Sequence, residues 1–173
     1  GEHMRFTKMH GCSNDYLYIN CFEENLDGVD LEELTRQMSD RHNGIGSDGL
    51  ILIMPSEKAD FGFRFFNADG TEGEMCGNGV RCFAKYVHDH GLTKKTEFAI
   101  DSLAGIVRPV LHLRDGVVES VTVDLGEPRL NAEQIPILNH GDGRVIDQPL
   151  TVGDQVVRIT AVSMGNPHCV QFV

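Results

Sequence analysis

Two segments of the chain have the hydrophobic spacing of an amphipathic helix. In the first, apolar side chains recur at i, i+3 and i+7 from Leu31 to Met38. Asp30 stands immediately before this stripe and Glu33 follows three residues later, which is the capping-box pattern of a helix N-terminus. These features together predict a helix over Leu31–Arg41.

The second segment has the same kind of apolar stripe and clear signals at both ends. Positions i, i+3, i+4 and i+7 are apolar and are occupied by Val80, Phe83, Ala84 and Val87. Gly91 is a residue type that commonly follows the last turn of a helix. We therefore predict a helix over Gly77–His90, with Cys76 at its N-terminal edge.

Runs of β-forming residues between turn signals predict strands in the rest of the chain. They lie at Arg5–His10, Asp15–Cys21, Leu50–Met54, Phe61–Phe66, Thr96–Ile100, Ile106–Leu113, Val117–Asp124, Leu150–Val152 and Gln155–Val162. Asp115-Gly116 and Gly153-Asp154 have the composition of tight hairpin turns. With two helices early in the chain and only strands after Gly91, the pattern predicts an α+β fold.

The strand pattern is interrupted at Gly126-Glu127-Pro128, and we place a domain boundary just before this segment. The first domain covers residues 4–124 and the second covers residues 125–173. The second has only about 50 residues, which is thin for an independent core and indicates the start of a truncated domain. Gly1-Glu2-His3 resembles an expression remnant, so we expect the natural chain to start at Met4.

Composition and charge narrow the possible function classes. Of the 173 residues, 40% are hydrophobic and 24% are charged, which is typical of a globular chain rather than a disordered one. The net charge of −11 repels phosphate, so we expect neither nucleic acid nor an anionic membrane as a partner. The longest aliphatic run, Leu50–Met54, has five residues, whereas a membrane span needs about 20.

The cysteines indicate a reducing compartment. There are five of them, an odd number, without a CxxC pair or a signal-peptide core: Cys12, Cys21, Cys76, Cys82 and Cys169. This usage predicts reduced thiols in the cytoplasm and no metal site of the zinc-finger kind. We interpret Cys12, Cys21 and Cys82 as structural thiols, because free cysteine packs as a small hydrophobe. Asp48 and Asp69 are interpreted as turn residues.

Cys76 is the strongest candidate for chemistry. A thiol at a helix N-terminus faces the positive end of the macrodipole and free backbone N–H groups, which favour the thiolate. Gly77 and Gly79 carry no side chain that would keep a ligand from the backbone N–H groups there. The same place would hold both a base and donors for a carboxylate. The alternative is a buried cysteine followed by glycines that only let the helix pack closely.

Five segments, taken together, resemble the diaminopimelate epimerase family. They are Met9–Gly11 with Asn14-Asp15, Arg41–Gly46, Phe66–Gly70, Cys76–Cys82 and Met164–Cys169, and they follow one another in the family's order. The resemblance extends over the whole chain but covers only the N-terminal part of a full-length family member.

This resemblance implies a fold, an activity and partners. The fold is a bent mixed β-sheet or barrel wrapped around the helix Gly77–His90, with the helix Leu31–Arg41 outside. The activity is epimerisation of LL-diaminopimelate to the meso form, on the path to lysine and peptidoglycan. It needs no cofactor and acts on a small-molecule substrate, and the full-length relatives form homodimers.

The resemblance also implies roles for particular residues. Two cysteines act from opposite faces of the α-carbon, one as thiolate base and the other as thiol acid, and Cys76 matches the first. Inverting a carbon centre in this way requires two groups in opposite protonation states. His168 matches a residue thought to adjust the ionisation of the thiols. The residues that match substrate-holding positions are Asn14, Asn67, Gly77, Asn78 and Asn166.

The sequence departs from the family at the second thiol. That cysteine lies in a Gly-Ser-Gly-rich segment which this chain lacks, and Cys169 stands in a different motif, so we expect the chain alone to be inactive. One alternative is another two-thiol racemase, acting on proline, hydroxyproline or histidine; the first two types place histidine where Asn78 stands. The other alternative is a non-catalytic fragment that binds substrate or dimerises.

Overall fold

The computed structural model describes residues 3–138 and 143–173. Gly1 and Glu2, which belong to the segment interpreted as an expression remnant, lie outside the described residues. The chain forms two compact units, of which the first ends at Asp124 and the second begins at Leu125. Within the described ranges, no helix has the length and hydrophobicity needed to cross a lipid bilayer.

The first unit contains two helices and nine strands within its described part. The helices are α1 (Leu31–Ser39) and α2 (Gly77–Asp89). The strands are β1 (Thr7–Gly11), β2 (Asn14–Asn20), β3 (Gly49–Met54), β4 (Phe61–Asn67), β5 (Glu72–Gly73), β6 (Ile100–Ser102), β7 (Gly105–Val107), β8 (Val110–Arg114) and β9 (Val117–Thr122).

The first unit is built on a mixed sheet of seven strands. Their order is β1-β2-β3-β4-β6-β7, with β5 paired to β4. The pairs β2–β3 and β4–β6 are parallel, and the other pairs are antiparallel. Strands β8 and β9 form a separate hairpin, as the sequence predicts. Its turn residues Asp115 and Gly116 both have positive φ, 52° and 79°, which matches the twist of the flanking strands.

The central strands β2 and β3 are buried on both faces over most of their length, which explains the hydrophobic run in each. One set of alternate residues, including Tyr16, Tyr18 and Ile51, packs with helix α2. The other set, including Leu17 and Leu50, packs with the apolar stripe of helix α1. The two helices therefore cover opposite faces of the sheet.

Helix α2 lies in the core of the first unit. Its predicted stripe is buried and packs against both the sheet and the hairpin side chains Leu111 and Val118. Each large apolar side chain buried here contributes about 1.5–3 kcal/mol to stability. This arrangement confirms the predicted α+β fold, a bent mixed sheet around a central helix.

Helix α1 begins as predicted but ends earlier. The Asp30 carboxylate accepts a hydrogen bond from the backbone N–H of Glu33 at 3.0 Å, which caps the N-terminus. The Asp40 carboxylate accepts hydrogen bonds from the backbone N–H groups of His42 and Asn43, both at 2.7 Å. This local turn competes with the helix, so α1 stops two residues before its predicted end. Helix α2 ends one residue before its predicted end.

Two strand predictions are wrong in detail. The run Ile106–Leu113 forms β7 and β8 rather than one strand, because Pro109 has no N–H to donate to a ladder. The run Thr96–Ile100 contributes only its last residue to β6, and Glu97 forms an isolated bridge instead. Both differences lie where the chain leaves one pair of strands and joins another.

The second unit is a small antiparallel sheet with a one-turn 3₁₀ helix at Ala132–Gln134. Its strands are β10 (Gln148–Val152), β11 (Gln155–Ser163) and β12 (Pro167–Val170), paired in that order. The hairpin predicted around Gly153-Asp154 is confirmed. Strand β12 was not predicted. Among the described residues of this unit, the core is small and consists of Ala132, Ile135, Val145 and Ala161, with two partly buried isoleucines packed against it.

Candidate active site

One end of the sheet in the first unit carries several of the candidate residues. Tyr16 of β2 pairs in register with Gly49 of β3, and Gly49 pairs with Asn67 at the end of β4. Asn14 is the first residue of β2. Because Cys76 contacts Tyr16, the N-terminus of helix α2 meets this same end of the sheet.

Cys76 is the N-cap residue of helix α2 and is partly buried. Its Sγ accepts a hydrogen bond from the backbone N–H of Gly79 at 3.3 Å, and the Tyr16 hydroxyl lies 3.0 Å from the same sulfur. The backbone N–H groups of Gly77 and Asn78 belong to the first helical turn, where the positive end of the macrodipole lies. A backbone N–H of the helix and a hydroxyl of the sheet thus both lie within hydrogen-bond distance of the sulfur.

The other thiols of the first unit have different environments. Burial raises the pKa of Cys82 and also that of Cys21, which keeps both thiols protonated near neutral pH. Cys12 is exposed, and its Sγ lies 3.1 Å from a guanidinium nitrogen of Arg81. The interpretation of Cys12 as a packed structural thiol is therefore wrong, because the β1–β2 turn presents this residue to solvent.

Two of the candidate asparagines are joined in one hydrogen-bonded chain, which we call the amide relay: Arg81, Asn78, Asn14 and Asp48. Arg81 donates to Asn78 Oδ1 at 2.8 Å, and Asn78 Nδ2 donates to Asn14 Oδ1 at 2.8 Å. Asn14 Nδ2 then donates to Asp48 Oδ2 at 3.1 Å. A guanidinium only donates and a carboxylate only accepts, so both amides are held in a single orientation.

Asp48 does more than form a turn. Its carboxylate also accepts the backbone N–H of Asp15 at 3.0 Å and a hydrogen bond from Arg41 at 3.0 Å. Arg41 in turn donates to both carboxylate oxygens of Asp15, at 3.1 and 2.7 Å, and Lys8 lies 3.2 Å from Asp15. The Arg41 guanidinium holds the pKa of Asp15 well below its usual range. These charges fix the loop before β3 against the start of β2.

Glycines allow two close approaches to the end of helix α2. A Cβ at Gly79 would lie 2.6 Å from Ile51 Cδ1 and 3.3 Å from Cys76 Sγ. A Cβ at Gly11 would lie 3.3 Å from Cys82 Sγ. The first contact explains why Gly79, whose backbone N–H bonds to the Cys76 sulfur, has no side chain.

Asn67 lies partly exposed at the end of β4, in the turn that leads to β5. Its Nδ2 donates to Thr71 Oγ1 at 3.1 Å, and its backbone N–H donates to Thr71 O at 2.8 Å. Asp69, interpreted as a turn residue, accepts the backbone N–H of Thr71 at 2.9 Å in the same turn. The turn thereby fixes the side-chain amide of Asn67, which is the residue of β4 that pairs with Gly49 of β3.

Asn166 and His168 belong to the second unit. Asn166 precedes β12, and His168 lies on β12 opposite Val162 of β11. The His168 imidazole Nε2 lies 3.1 Å from Asn166 Oδ1, so these two candidate residues contact each other. Both are exposed.

Sequence reasoning missed three contributors to this end of the sheet. They are Tyr16, which contacts the candidate base, and the two charged ends of the amide relay, Asp48 and Arg81. The signal for Tyr16 is its inward position in β2, where a hydroxyl must find a polar partner. No cluster of three or more metal-ligating side chains occurs among the described residues.

Several solved structures share this fold. A hydroxyproline epimerase from Agrobacterium vitis superposes with a TM-score of 0.65 at 16% sequence identity, covering 97% of this chain and 51% of its own. A probable proline racemase from Agrobacterium radiobacter K84 superposes with a TM-score of 0.65 at 15% identity, covering 98% and 52% respectively. At this level of identity the likeness shows a common fold.

Comparison of the sequence with protein families gives a more specific result than comparison of the fold. The diaminopimelate epimerase family profile matches residues 6–131. The diaminopimelate epimerase of Agathobacter rectalis is 54% identical over 98% of this chain, and that of Acetivibrio thermocellus is 51% identical over 98%. The chain belongs to the diaminopimelate epimerase family. It spans 61% and 60% of the length of these two relatives.

Proposed function

We propose that this chain is the N-terminal part of a diaminopimelate epimerase, which converts LL-diaminopimelate to the meso form without a cofactor. One observation carries the proposal. Cys76 caps helix α2 with its sulfur between the Gly79 N–H and the Tyr16 hydroxyl, at the end of the sheet where Asn14 also lies. This is an environment in which a thiolate base is stabilised.

The chemistry is a proton exchange at one carbon. The Cys76 thiolate takes the α-proton from one face of the substrate, and a second thiol delivers its own proton to the opposite face. Negative charge that develops beside the α-carbon spreads into the substrate carboxylate. Donation from the backbone N–H groups of Gly77 and Asn78 stabilises that carboxylate, since a helix N-terminus favours an anion.

The remaining candidate residues hold the substrate. Asn14, Asn67 and Asn166 bind its amino and carboxylate groups, because an amide side chain both donates and accepts. An amide carries no charge that would shift the proton equilibrium. His168 adjusts the ionisation of the thiols.

In this proposal Cys169 is not the second thiol of the pair, because it stands in a motif of its own. We therefore propose that the 173-residue chain alone does not turn over. The complete protein is a cytoplasmic homodimer in this proposal.

The test is deuterium incorporation during turnover. The complete protein that contains this chain, incubated with LL-diaminopimelate in D₂O, is expected to place deuterium at the inverted α-carbon. Replacing the base, Cys76→Ala, should lower that rate by about 10²–10⁴-fold. Cys82→Ala is the matched control on the same helix and should retain the activity. Turnover by the 173-residue chain alone would contradict the proposed division of the thiols.

Substrate choice separates this proposal from its alternatives. Inversion of proline, hydroxyproline or histidine by the complete protein, with none of diaminopimelate, would overturn the substrate assignment. Binding of diaminopimelate without deuterium incorporation would make the protein a binding module.

A further inference from the structure

Two tyrosines of strand β2 reach the first turn of helix α2. Tyr16 and Tyr18 are two residues apart, so their side chains leave the same face of the sheet. The Tyr16 hydroxyl lies 3.0 Å from Cys76 Sγ, and the Tyr18 hydroxyl donates to the carbonyl oxygen of Gly79 at 2.9 Å. The Tyr16 hydroxyl thus contacts the candidate base, whereas the Tyr18 hydroxyl bonds to the helix backbone at Gly79.

We propose that Tyr16 is a positioning residue for Cys76, whose hydroxyl orients the sulfur and stabilises its thiolate form by hydrogen bonding. This inference rests on the proposed function, in which Cys76 is a base. The role of the Tyr16 hydroxyl is separate from the packing of its ring and from the backbone N–H groups at the N-terminus of helix α2.

The hydrogen bond between these groups can serve both protonation states of the sulfur. When Cys76 is a thiol, its S–H donates to the Tyr16 oxygen. When Cys76 is a thiolate, the Tyr16 O–H rotates and donates to the sulfur. Burial raises the pKa of Tyr16, so the phenol keeps its proton in both states. No proton passes between the two residues.

The packing of the Tyr16 ring holds its hydroxyl in a fixed position. Tyr16 is only 5% exposed, and its ring packs edge-on against Phe65 with the centroids 5.5 Å apart and the planes at 86°. A phenylalanine would make the same ring contact, so packing does not require the hydroxyl. In a buried position, a hydrogen bond to an ionised group is stronger than at the surface.

Other titratable groups near this pair come from three elements. Asp48, in the loop before β3, and Cys82, further along α2, both interact electrostatically with Tyr16. Tyr18 on β2 interacts with Cys82 and with Cys76. Cys82 and Tyr18 both have a raised pKa from burial and stay neutral near neutral pH, which leaves Asp48 as the charged neighbour.

The test measures how the rate of Cys76 alkylation by iodoacetamide depends on pH in the folded 173-residue chain. Peptide mass mapping identifies the alkylated cysteine. In Tyr16→Phe, the rate at about pH 7 is expected to fall about three- to tenfold, because the thiolate loses a charge-assisted hydrogen bond. At about pH 10.5, well above the ordinary pKa of a free thiol, the rates should agree. Tyr18→Phe is the matched control and should leave the ratio of the two rates unchanged.

A purely structural role for the hydroxyl predicts a different result. Equal changes at both pH values, or no change at about pH 7, would overturn the proposal. Uniform replacement of tyrosine by 3-fluorotyrosine keeps the packing and makes the phenol a stronger donor. In a Tyr18→Phe background it should raise the Cys76 rate near neutral pH about twofold, and an unchanged or lower rate would count against the proposal.

The same measurement reports separately on the proposed function. If Cys76 in the unmodified chain reacts no faster than Cys82, the thiolate base itself is wrong. If Cys76 reacts faster and Tyr16→Phe changes nothing, only the role of Tyr16 is wrong.

Discussion

Gly79 is the residue on which the geometry of Cys76 depends most directly. It supplies the backbone N–H that bonds to the sulfur, and it leaves room for the Ile51 side chain of β3. In a helix, alanine is ordinarily more favourable than glycine by about 1 kcal/mol. Here a methyl group would meet Ile51 Cδ1 at 2.6 Å, and Ile51 is fully buried. The local preference and the tertiary contact therefore oppose each other.

We expect the contact to prevail, so that Gly79→Ala destabilises the chain by about 1–3 kcal/mol. Chemical denaturation measures the free energy of unfolding. The control is Ile51→Val, which removes the δ-methyl and alone costs about 0.5–1.5 kcal/mol. The double variant should be less destabilised than the sum of the two single variants. Strict additivity would show that the two side chains do not compete for this space.

At the scale of elements, the loop between α1 and β3 is fastened to β2 by charge. Arg41 of that loop binds both oxygens of the Asp15 carboxylate and also Asp48. The pKa of Asp15 is lowered in the folded state, chiefly by Arg41. A carboxylate with a lowered pKa stabilises the fold above its ordinary pKa of about 3.9, and this contribution is lost as the pH falls below that value.

Arg41→Gln should therefore lower the Tm by a few degrees near neutral pH, and the difference from the unmodified chain should narrow in acid. Thermal unfolding followed by circular dichroism at about pH 7 and about pH 2.5 measures both differences. Arg114→Gln, which breaks the exposed hairpin pair with Glu119, should change little at either pH. An Arg41 effect that is equal at both pH values would mean that the residue acts through packing alone.

Elements with a clear hydrophobic periodicity were predictable from the sequence. Elements that depend on pairing with another strand were not. The stripes of α1 and α2 follow from local spacing, and both helices form where predicted. Helix α1 ends early because the Asp40 side chain bonds to nearby backbone, which spacing does not encode. The two-residue strand β5 and strand β12 exist only because a neighbouring strand pairs with them.

The residues of the candidate site also divide into those that local sequence predicts and those that depend on tertiary contacts. Cys76 was predictable, because its position at a helix N-terminus is a local property of the sequence. The amide relay was not, because Asn14 and Asn78 are 64 residues apart and meet only through the packing of β1, β2 and α2. Tyr16 was missed for the same reason, since its contact with Cys76 spans 60 residues.

At the scale of the whole chain, the two units differ greatly in the amount of apolar surface that they bury. The first has clusters on both faces of its sheet, with residues such as Leu17, Ile19 and Ile53 at 0% exposure. The described part of the second unit has a core of four small or medium side chains. A domain of about 60 residues is already marginally stable, and a shorter one buries a smaller fraction of its surface. Opening of the second unit should therefore cost much less free energy than opening of the first.

Native-state hydrogen exchange measures this difference. Amides of β2 and β3 should be protected by nearly the full free energy of unfolding, which is about 5–15 kcal/mol for a typical domain. Amides of β11 bonded to β10 and β12 should exchange with protection lower by several kcal/mol, because few buried contacts oppose their opening. Equal protection in β3 and β11 would mean that the two units unfold together. In that case the small core of the second unit would be stabilised by contacts beyond its own sheet.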